Sequence, residues 1–157
     1  PGGFTGLRAA LALAEGLALG AGVPLIGVTT GEALAAAVPA SVRARRVVWT
    51  VIDNRRGEFV LERFAPGAAV PEGNPVVHAE AALPRETRAV AVAGDAAPLV
   101  AARLAARGVD ALLCDSRLPD AVAAARVAAL RLAGAIPPRA ARPLYAEPPS
   151  VRLPAAQ

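Results

Sequence analysis

The residues that could perform chemistry are few and lie far apart in the sequence. Cys114 and His78 are the only cysteine and histidine, so an internal disulfide and a Cys/His zinc site are both excluded. Nucleophilic catalysis needs a nucleophile, a base and an orienting group within reach. His78 lies in a weakly patterned segment, where we expect a surface position, and aspartates near Cys114 would raise the pKa of its thiol. We therefore predict no catalytic residue and no metal ion.

Two groups of carboxylates have the residue types of an acid–base pair or a metal site. Asp53 and Glu58 flank the turn at residues 54–57, which carries two arginines, and a salt-bridged turn explains them better than an acid–base pair. The second group recurs every five residues, a spacing that neither aligns on a helix face nor resembles a calcium loop. Its members are Asp110, Asp115 and Asp120.

Two glycine-containing turns could approach a phosphate. The stretch PGGFTG at residues 1–6 precedes a helix, whose free N–H groups can bind an anion. It is neither the P-loop nor the dinucleotide fingerprint, and the chain contains no lysine. The pair Gly94-Asp95, after a strand, fits a strand-to-helix turn equally well. We favour tight turns at both places and predict no cofactor.

Composition narrows the function classes further. The chain has 157 residues, of which 55% are apolar and only five are aromatic, so a nucleic-acid binder that relies on base stacking is disfavoured. All 17 basic residues are arginine against 13 acids, a net charge of +4. The arginines form short clusters rather than runs, which favours solvated faces over a nucleic-acid surface. The clusters are Arg43, Arg45, Arg46; Arg55, Arg56; and Arg139, Arg142.

The beginning of the sequence indicates a chain that starts partway through a domain. It lacks Met, and Pro1-Gly2-Gly3 leads directly into a helical pattern. The most apolar stretch, residues 9–28, is interrupted by Glu15, several glycines and Pro24, so it fits neither a membrane span nor a secretory signal. We expect a cytoplasmic protein without a membrane segment.

The first helix has the most informative pattern. Residues Thr5 to Leu19 are rich in Ala and Leu and are followed by Gly20 and Gly22. One wide apolar face contains most of the leucines, and a strip of small residues runs along another side. This pattern predicts a helix that packs on two sides. The strip consists of Ala12, Gly16 and Gly20, with Ala9 beside it.

The remaining elements alternate between strands and helices, which predicts an α/β fold. We expect an antiparallel hairpin of residues 47–53 and 58–64, joined by a turn. The other expected elements are a strand at 25–28, a helix at 31–37 capped by Thr30, a helical patch at 78–83, a strand at 89–93, helices at 98–107 and 120–132, and an extended tail at 143–154.

Several blocks together resemble the TsaB (YeaZ) family across nearly the whole chain. No single block is specific, but the FTGLR helix start, the hairpin and the PLY tail in this order are. The blocks are PGGFTGLR at 1–8, VPLIGVTTGEALA at 23–35, VIDNRRGEF at 51–59, AGD at 93–95 and PLYAEPPSVRLP at 143–154.

The resemblance implies an actin-like, Hsp70-like ATPase fold of two lobes without a catalytic site of its own. Relative to the family, the first lobe is expected to lack its opening strands, and with them the acidic turn that active relatives use for nucleotide and metal. The implied parts are residues 1–37, the rest of the N-terminal lobe with the pairing helix; 38–142, a second α/β lobe; and 143–157, an extended tail.

The resemblance also implies a function. Such proteins are noncatalytic scaffold subunits that pair with the catalytic subunit TsaD, and with the ATPase TsaE, to install threonylcarbamoyl on the adenosine next to the anticodon of ANN-decoding tRNAs. A homodimer is a further implied state, and tRNA is met only through the complex. The implied partner surface is the first helix, with Leu7, Arg8, Leu11, Ala12, Glu15 and Gly16.

Two alternatives remain open from the sequence. A small-molecule kinase or hydrolase of the same superfamily would share the fold, which cannot by itself decide the function. Direct tRNA binding through the arginine clusters would show as an affinity that falls steeply with salt.

Overall fold

The computed structural model describes residues 4–146, and within this range it contains five helices, five strands and one short 3-10 helix. None of the helices in this range is long and apolar enough to span a bilayer. The helices are α1 (Phe4–Ala21), α2 (Thr30–Ala37), α3 (Ala40–Arg43), α4 (Ala97–Ala106) and α5 (Ala121–Leu132); the strands are β1 (Val47–Asp53), β2 (Glu58–Phe64), β3 (Val76–Ala79), β4 (Val90–Ala93) and β5 (Ala111–Leu113); the 3-10 helix is Glu80–Ala82.

The strands form one mixed sheet in the order β3-β2-β1-β4-β5. β1 and β2 form the predicted antiparallel hairpin, in which Thr50 lies opposite Glu62. β4 pairs in parallel with β1 on one side and with β5 on the other. The β-branched run of β1 suits its central position, where the strand is buried along most of its length.

Helices cover both faces of the sheet. On one face α4 packs through Val100 and Leu104 against alternate residues of β1 and β4, with Trp49 at the centre. On the other face α2 packs near Val48 and Phe64, and α5 lies against α2. The side chains of each strand thus alternate between two cores, one on each face of the sheet.

The N-terminus of α2 is fixed by a capping box, one residue before the predicted position. Thr29 is the cap: its hydroxyl accepts from the Glu32 amide at 3.0 Å, and a Glu32 carboxylate oxygen accepts from the Thr29 amide at 2.8 Å. The prediction of Thr30 was wrong because two threonines stand in a row and only Thr29 places Glu32 at the third helical position.

Three further predictions need correction. Residues 25–28 form no strand; this stretch lies beside the residues that follow α5, where the Gly27 amide donates to the Arg139 carbonyl at 3.0 Å. His78, predicted in a helical patch, belongs to β3, opposite Phe59 of β2. β5 was missed, because three residues at a sheet edge leave too short a pattern to recognise.

The other elements agree with their predictions to within a few residues, namely α1, β1, β2, β4, α4 and α5. Asp120 caps α5 by accepting from the Val122 amide at 2.9 Å. Residues 1–3 and 147–157 lie outside the described range, so the glycine turn at the start and most of the tail predicted at 143–154 are not described. The division of the chain at 37/38 and 142/143 stays a prediction.

Candidate functional site

Helix α1 lies apart from the two cores. No other helix or strand within residues 4–146 packs extensively against it, and several of its large apolar side chains face solvent. Leu13, Leu17 and Leu19 are 65%, 66% and 84% exposed. Since ordinary surface helices turn their apolar stripe toward a core, this helix is the strongest candidate for an interaction surface in the described part of the chain.

The two sides of α1 do not coincide with the two faces predicted from its pattern, because each side contains both leucines and members of the small-residue strip. One side forms the floor of a groove whose opposite wall is the chain that follows α5; we call residues 137–145 the wall segment. At its open end the Arg8 guanidinium donates to the Tyr145 hydroxyl at 3.0 Å. The groove is lined by Arg8, Leu11, Ala12, Glu15, Ala18, Leu19, Val23, Leu25, Ala140, Ala141, Arg142, Pro143 and Tyr145.

The opposite side of α1 is open. A methyl group added at Gly6, Gly16 or Gly20 would meet nothing within 4 Å. Leu13 and Leu17 lie between these glycines on the same side, since residues three or four apart share a helix face. This outer face (Gly6, Leu13, Gly16, Leu17 and Gly20) combines small residues with large apolar ones, as helix–helix contacts do.

The residues predicted for partner binding do not all lie on the same side of α1. Four of them, Arg8, Leu11, Ala12 and Glu15, line the groove. Gly16 lies on the open side, and Leu7 is 36% exposed outside the groove lining. Tyr145 was not among the predicted residues, although the PLY motif marked its position.

The hairpin turn between β1 and β2 is salt-bridged. Asp53 accepts from the Arg55 amide at 2.7 Å, and the Arg55 guanidinium lies 3.8 Å from Asp53 and 3.7 Å from Asp95. Asn54 donates to the Glu58 carboxylate at 3.0 Å. Each carboxylate of the turn thus has a local structural contact.

Gly94-Asp95 forms a close turn at the end of β4. Gly94 has a φ of +109°, and a Cβ there would lie 2.1 Å from the Val51 carbonyl oxygen. Asp95 accepts from the Asp53 amide at 2.9 Å. Glycine is therefore required here by backbone conformation and by the neighbouring strand.

The sulfur and imidazole groups occupy structural positions. Cys114 is buried, and burial, with Asp115 as a lesser cause, raises the pKa of its thiol. His78 is half-buried on β3 rather than fully exposed. Within residues 4–146 no three His, Cys, Asp or Glu side chains come together as a metal site would require.

Several arginines outside α1 are paired with carboxylates. Arg46 lies 2.9 Å from Asp110, and Arg88 lies 2.9 Å from Glu86. The hydrogen bonds from Arg88 lower the pKa of Glu86 to about 2. Further pairs are Arg63 with Glu72 and Arg103 with Glu80.

Comparison with known proteins gives matches in sequence and in fold. Residues 1–72 match the family model described as "TsaD: tRNA N6-adenosine threonylcarbamoyltransferase". The chain is 47% identical over 64 residues to the tRNA threonylcarbamoyladenosine biosynthesis protein TsaB of Escherichia coli K12. This alignment covers 41% of the chain and 27% of that protein, so the match spans about a quarter of the curated relative.

Two solved structures from Pseudomonas aeruginosa share the fold. An uncharacterized protein with similarity to peptidase YEAZ superposes with a TM-score of 0.71 over 94% of this chain and 70% of its own, at 24% identity. YeaZ itself superposes with a TM-score of 0.66 over 86% of this chain and 64% of its own, also at 24% identity. The resemblance to the TsaB (YeaZ) family is confirmed.

The fold is thus the α/β fold shared with these YeaZ structures, as the sequence predicts. The residues of this TsaB-like chain that match the family model comprise α1, α2, α3 and the β1–β2 hairpin. They include the whole floor of the groove formed by α1. The wall segment, which closes the groove, lies beyond residue 72.

No pattern in the sequence predicts the buried ionic cluster. Glu32 of α2 and Arg131 of α5 form an ion pair, with side chains 0% and 2% exposed. Glu62 of β2 lies beside them and accepts from the Thr29 hydroxyl at 3.3 Å. Burial, and next the nearby Glu32 carboxylate, raise the pKa of Glu62 to about 7. The charges come from three distant parts of the chain, so no local pattern indicates them.

Proposed function

We propose that the chain is a noncatalytic scaffold subunit in the biosynthesis of threonylcarbamoyladenosine in tRNA, and that it pairs through α1 with a TsaD-like catalytic subunit. The observation that carries this proposal is the solvent-facing apolar side of α1 in a chain that resembles TsaB. The match of residues 1–72 to the TsaD family model supports a partner of related fold.

The exposed leucines of α1 make pairing energetically reasonable. Full burial of a leucine side chain stabilises by about 1.5–3 kcal/mol before the cost of association is subtracted. Leu13 and Leu17 are about two-thirds exposed, so both can gain by packing against a partner. Gly16 and Gly20, beside them, allow another helix backbone to come close.

The proposed partner surface contains the six residues predicted from sequence together with the outer face of α1. Leu7, Arg8, Leu11, Ala12, Glu15 and Gly16 are its predicted members. Of these, Arg8, Leu11, Ala12 and Glu15 line the groove between α1 and the wall segment, and Arg8 hydrogen-bonds to Tyr145. The outer face is the side on which a partner helix meets no part of residues 4–146.

The scaffold role assigns no catalytic residue and no cofactor to this chain. A TsaE-like ATPase and the TsaD-like subunit supply the chemistry in this proposal, and tRNA is met only through the complex, in the cytoplasm. A homodimer through the same face of α1 is the state expected when the TsaD-like partner is absent.

Reconstitution tests the proposal directly. TsaD-like and TsaE-like proteins, ANN-decoding tRNA, ATP and a threonylcarbamoyl donor are incubated with and without the full chain, and modified adenosine is measured. We expect modification to depend on the chain and the isolated chain to hydrolyse no ATP. Clear ATP turnover by the isolated chain would instead favour the small-molecule kinase or hydrolase alternative.

Salt dependence tests the remaining alternative of direct tRNA contact. A chain that binds tRNA through several arginines would lose affinity steeply as salt rises. Because each of the three arginine clusters has a member beside a carboxylate, namely Arg46, Arg55 and Arg139, we expect the isolated chain to show no measurable tRNA affinity even at low salt.

A further inference from the structure

The buried ionic cluster joins the wall segment to the rest of the molecule. Arg131, at the end of α5, pairs with Glu32 through one nitrogen and donates from Nε to the Pro137 carbonyl at 3.1 Å. Two residues further on, the Arg139 guanidinium lies 3.9 Å from the same Glu32 carboxylate. A single buried carboxylate on α2 therefore holds the start of the wall segment through two arginines.

The wall segment is also seated by its backbone. The Arg139 carbonyl accepts from the Gly27 amide at 3.0 Å, and a Cβ at Gly27 would lie 2.3 Å from the Ala140 carbonyl oxygen. From there the segment runs along α1 to Tyr145, whose hydroxyl accepts from Arg8. Displacement of the segment near Arg139 would therefore break the Gly27 bond and open the wall of the α1 groove.

A second carboxyl group lies in the same cluster without an arginine of its own at bonding distance. Glu62 is opposite Thr50 in the hairpin, on the side of the sheet that faces α2. Its carboxylate fits so closely over the start of α2 that a Cβ at Gly31 would lie 1.8 Å from it. The Thr50 hydroxyl and the Nη1 atom of Arg131 are buried without a hydrogen-bond partner among the described residues.

The charges around Glu62 come from every element packed against it. Among the described residues, α2 supplies Glu32, the wall segment supplies Arg139, α5 supplies Arg131 through its pair with Glu32, and β1 supplies only the uncharged Thr50. Arg139 is the most exposed of these charges, at 36% of its side chain. Water therefore reaches the cluster most directly on the side of the wall segment.

We propose that Glu32 and Glu62 form a proton-operated latch for the wall segment, which stays seated while Glu62 is protonated and opens more readily when both carboxyls are ionised. When Glu62 is protonated, Arg131 and Arg139 both face the single charge of Glu32. When Glu62 is ionised, its charge is buried and lies near a second carboxylate, a cost that Arg139 offsets only in part and that hydration through the Arg139 side relieves. The latch does not depend on the proposed partner function.

Proton linkage sets the pH range. The seated form raises the pKa of Glu62 to about 7 from an ordinary value of 4.5, so the seated form binds the proton more tightly than an opened, hydrated form. The opening equilibrium then rises about tenfold per pH unit between those two values and levels off above the higher one.

Amide hydrogen exchange of the full chain, followed by NMR from about pH 5.5 to 8 and corrected for intrinsic exchange rates, tests the latch. The Gly27 amide reports directly on the seated segment, because it donates to Arg139. We expect its protection to be lower than that of the β1 amides, to fall about tenfold per pH unit up to pH 6.5, and to level off above pH 7.

Two variants and one control sharpen the test. Glu62→Gln replaces the titratable carboxyl group with a neutral amide, so the protection of the Gly27 amide should become independent of pH. Arg139→Gln removes a charge that lowers the pKa of Glu62, so the levelling-off should move to higher pH. Glu72→Gln, at a more exposed ion pair with Arg63, should leave the wild-type profile unchanged.

The pH profile of Gly27 amide protection in the wild type tests the latch even if a variant fails to fold. Gly27 protection that is constant with pH would overturn the latch. So would Gly27 protection equal to that of the β1 amides at every pH, since the segment would then open only by global unfolding. A pH-dependent profile that survives unchanged in Glu62→Gln would also overturn it.

Discussion

Helix α1 and the region around α2 use apolar and charged residues in opposite ways. α1 exposes leucines to solvent, and its polar residues Arg8 and Glu15 line a groove. α2 is covered on all sides and buries the carboxylate of Glu32. The stability of the chain is therefore concentrated around the sheet and α2, whereas α1 carries surface that the described residues do not use.

Substitutions in these two regions should therefore change different properties of the chain. Substitutions in the buried cluster should change the free energy of unfolding of the chain by itself. Substitutions on the outer face of α1 should change that quantity by no more than about 1 kcal/mol and should alter association.

The largest expected effect is that of Arg131→Met. Removal of Arg131 leaves the buried Glu32 with only the more exposed Arg139 at 3.9 Å, and loss of one partner from a buried ion pair costs about 3–5 kcal/mol. Urea unfolding of the variant should show a loss of this size. Arg126→Met, on an exposed position of the same helix, is the matched control and should change stability by less than about 0.5 kcal/mol. Equal losses in the two variants would show that the cluster is not a stabilising centre.

The next effect is the dependence of stability on pH. The pKa of Glu62 is raised to about 7 in the folded chain, so its contribution is most favourable below 4.5 and is lost as pH rises toward 7. From pH 5 to 8 the free energy of unfolding should fall by about 2–3 kcal/mol on account of this residue. Glu86, whose pKa is lowered to about 2, is ionised in the folded chain and mostly ionised in the unfolded chain over this range, so its contribution should change little.

Urea unfolding of Glu62→Gln at both ends of this pH range provides the comparison. Between pH 5 and 8 the free energy of unfolding of the variant should fall much less than that of the wild type. The stability advantage of the variant over the wild type should therefore be larger at pH 8 than at pH 5. A decline of equal size in the variant would assign the pH dependence to another group.

The smallest expected effect on stability is that of Gly16→Ala on α1. A methyl group at this position meets nothing within 4 Å, and replacement of a mid-helix glycine by alanine stabilises by about 0.5–1 kcal/mol. Thermal unfolding should therefore show a modest gain. The same change should weaken association if a partner helix packs closely at this position. Weaker folding of the variant would mean that Gly16 is packed within the chain.

Local patterns predicted the elements but not the contacts between distant ones. The β-branched run at 47–53 and the alternation at 58–64 fixed the hairpin, because strand pairing over a short turn depends on neighbouring residues. The pattern of α1 predicted two packing sides, but the structure divides its leucines and small residues differently between the groove and the outer face. What α1 packs against depends on the wall segment more than a hundred residues later, which no periodicity in α1 could reveal.

The buried cluster shows the same limit for charges. Glu32 and Glu62 look like ordinary surface acids in the sequence, and Arg131 like an ordinary basic residue near a helix end. They meet because α5 packs on α2 and the hairpin places Glu62 beneath the start of α2. Only the tertiary arrangement turns solvated charges into buried ones, and with them shifts the pKa of Glu62.

Size-exclusion chromatography with light scattering is the most direct test of pairing between α1 and a TsaD-like subunit. The full chain is run alone and mixed with the TsaD-like protein of the same source, as wild type and as Leu17→Asp on the outer face and Leu11→Asp in the groove. We expect a one-to-one complex with the wild type that is lost in Leu17→Asp, while the free energy of unfolding of that variant stays within about 0.5 kcal/mol of the wild type. A well-folded wild-type chain that remains a monomer beside the TsaD-like protein would contradict pairing through α1.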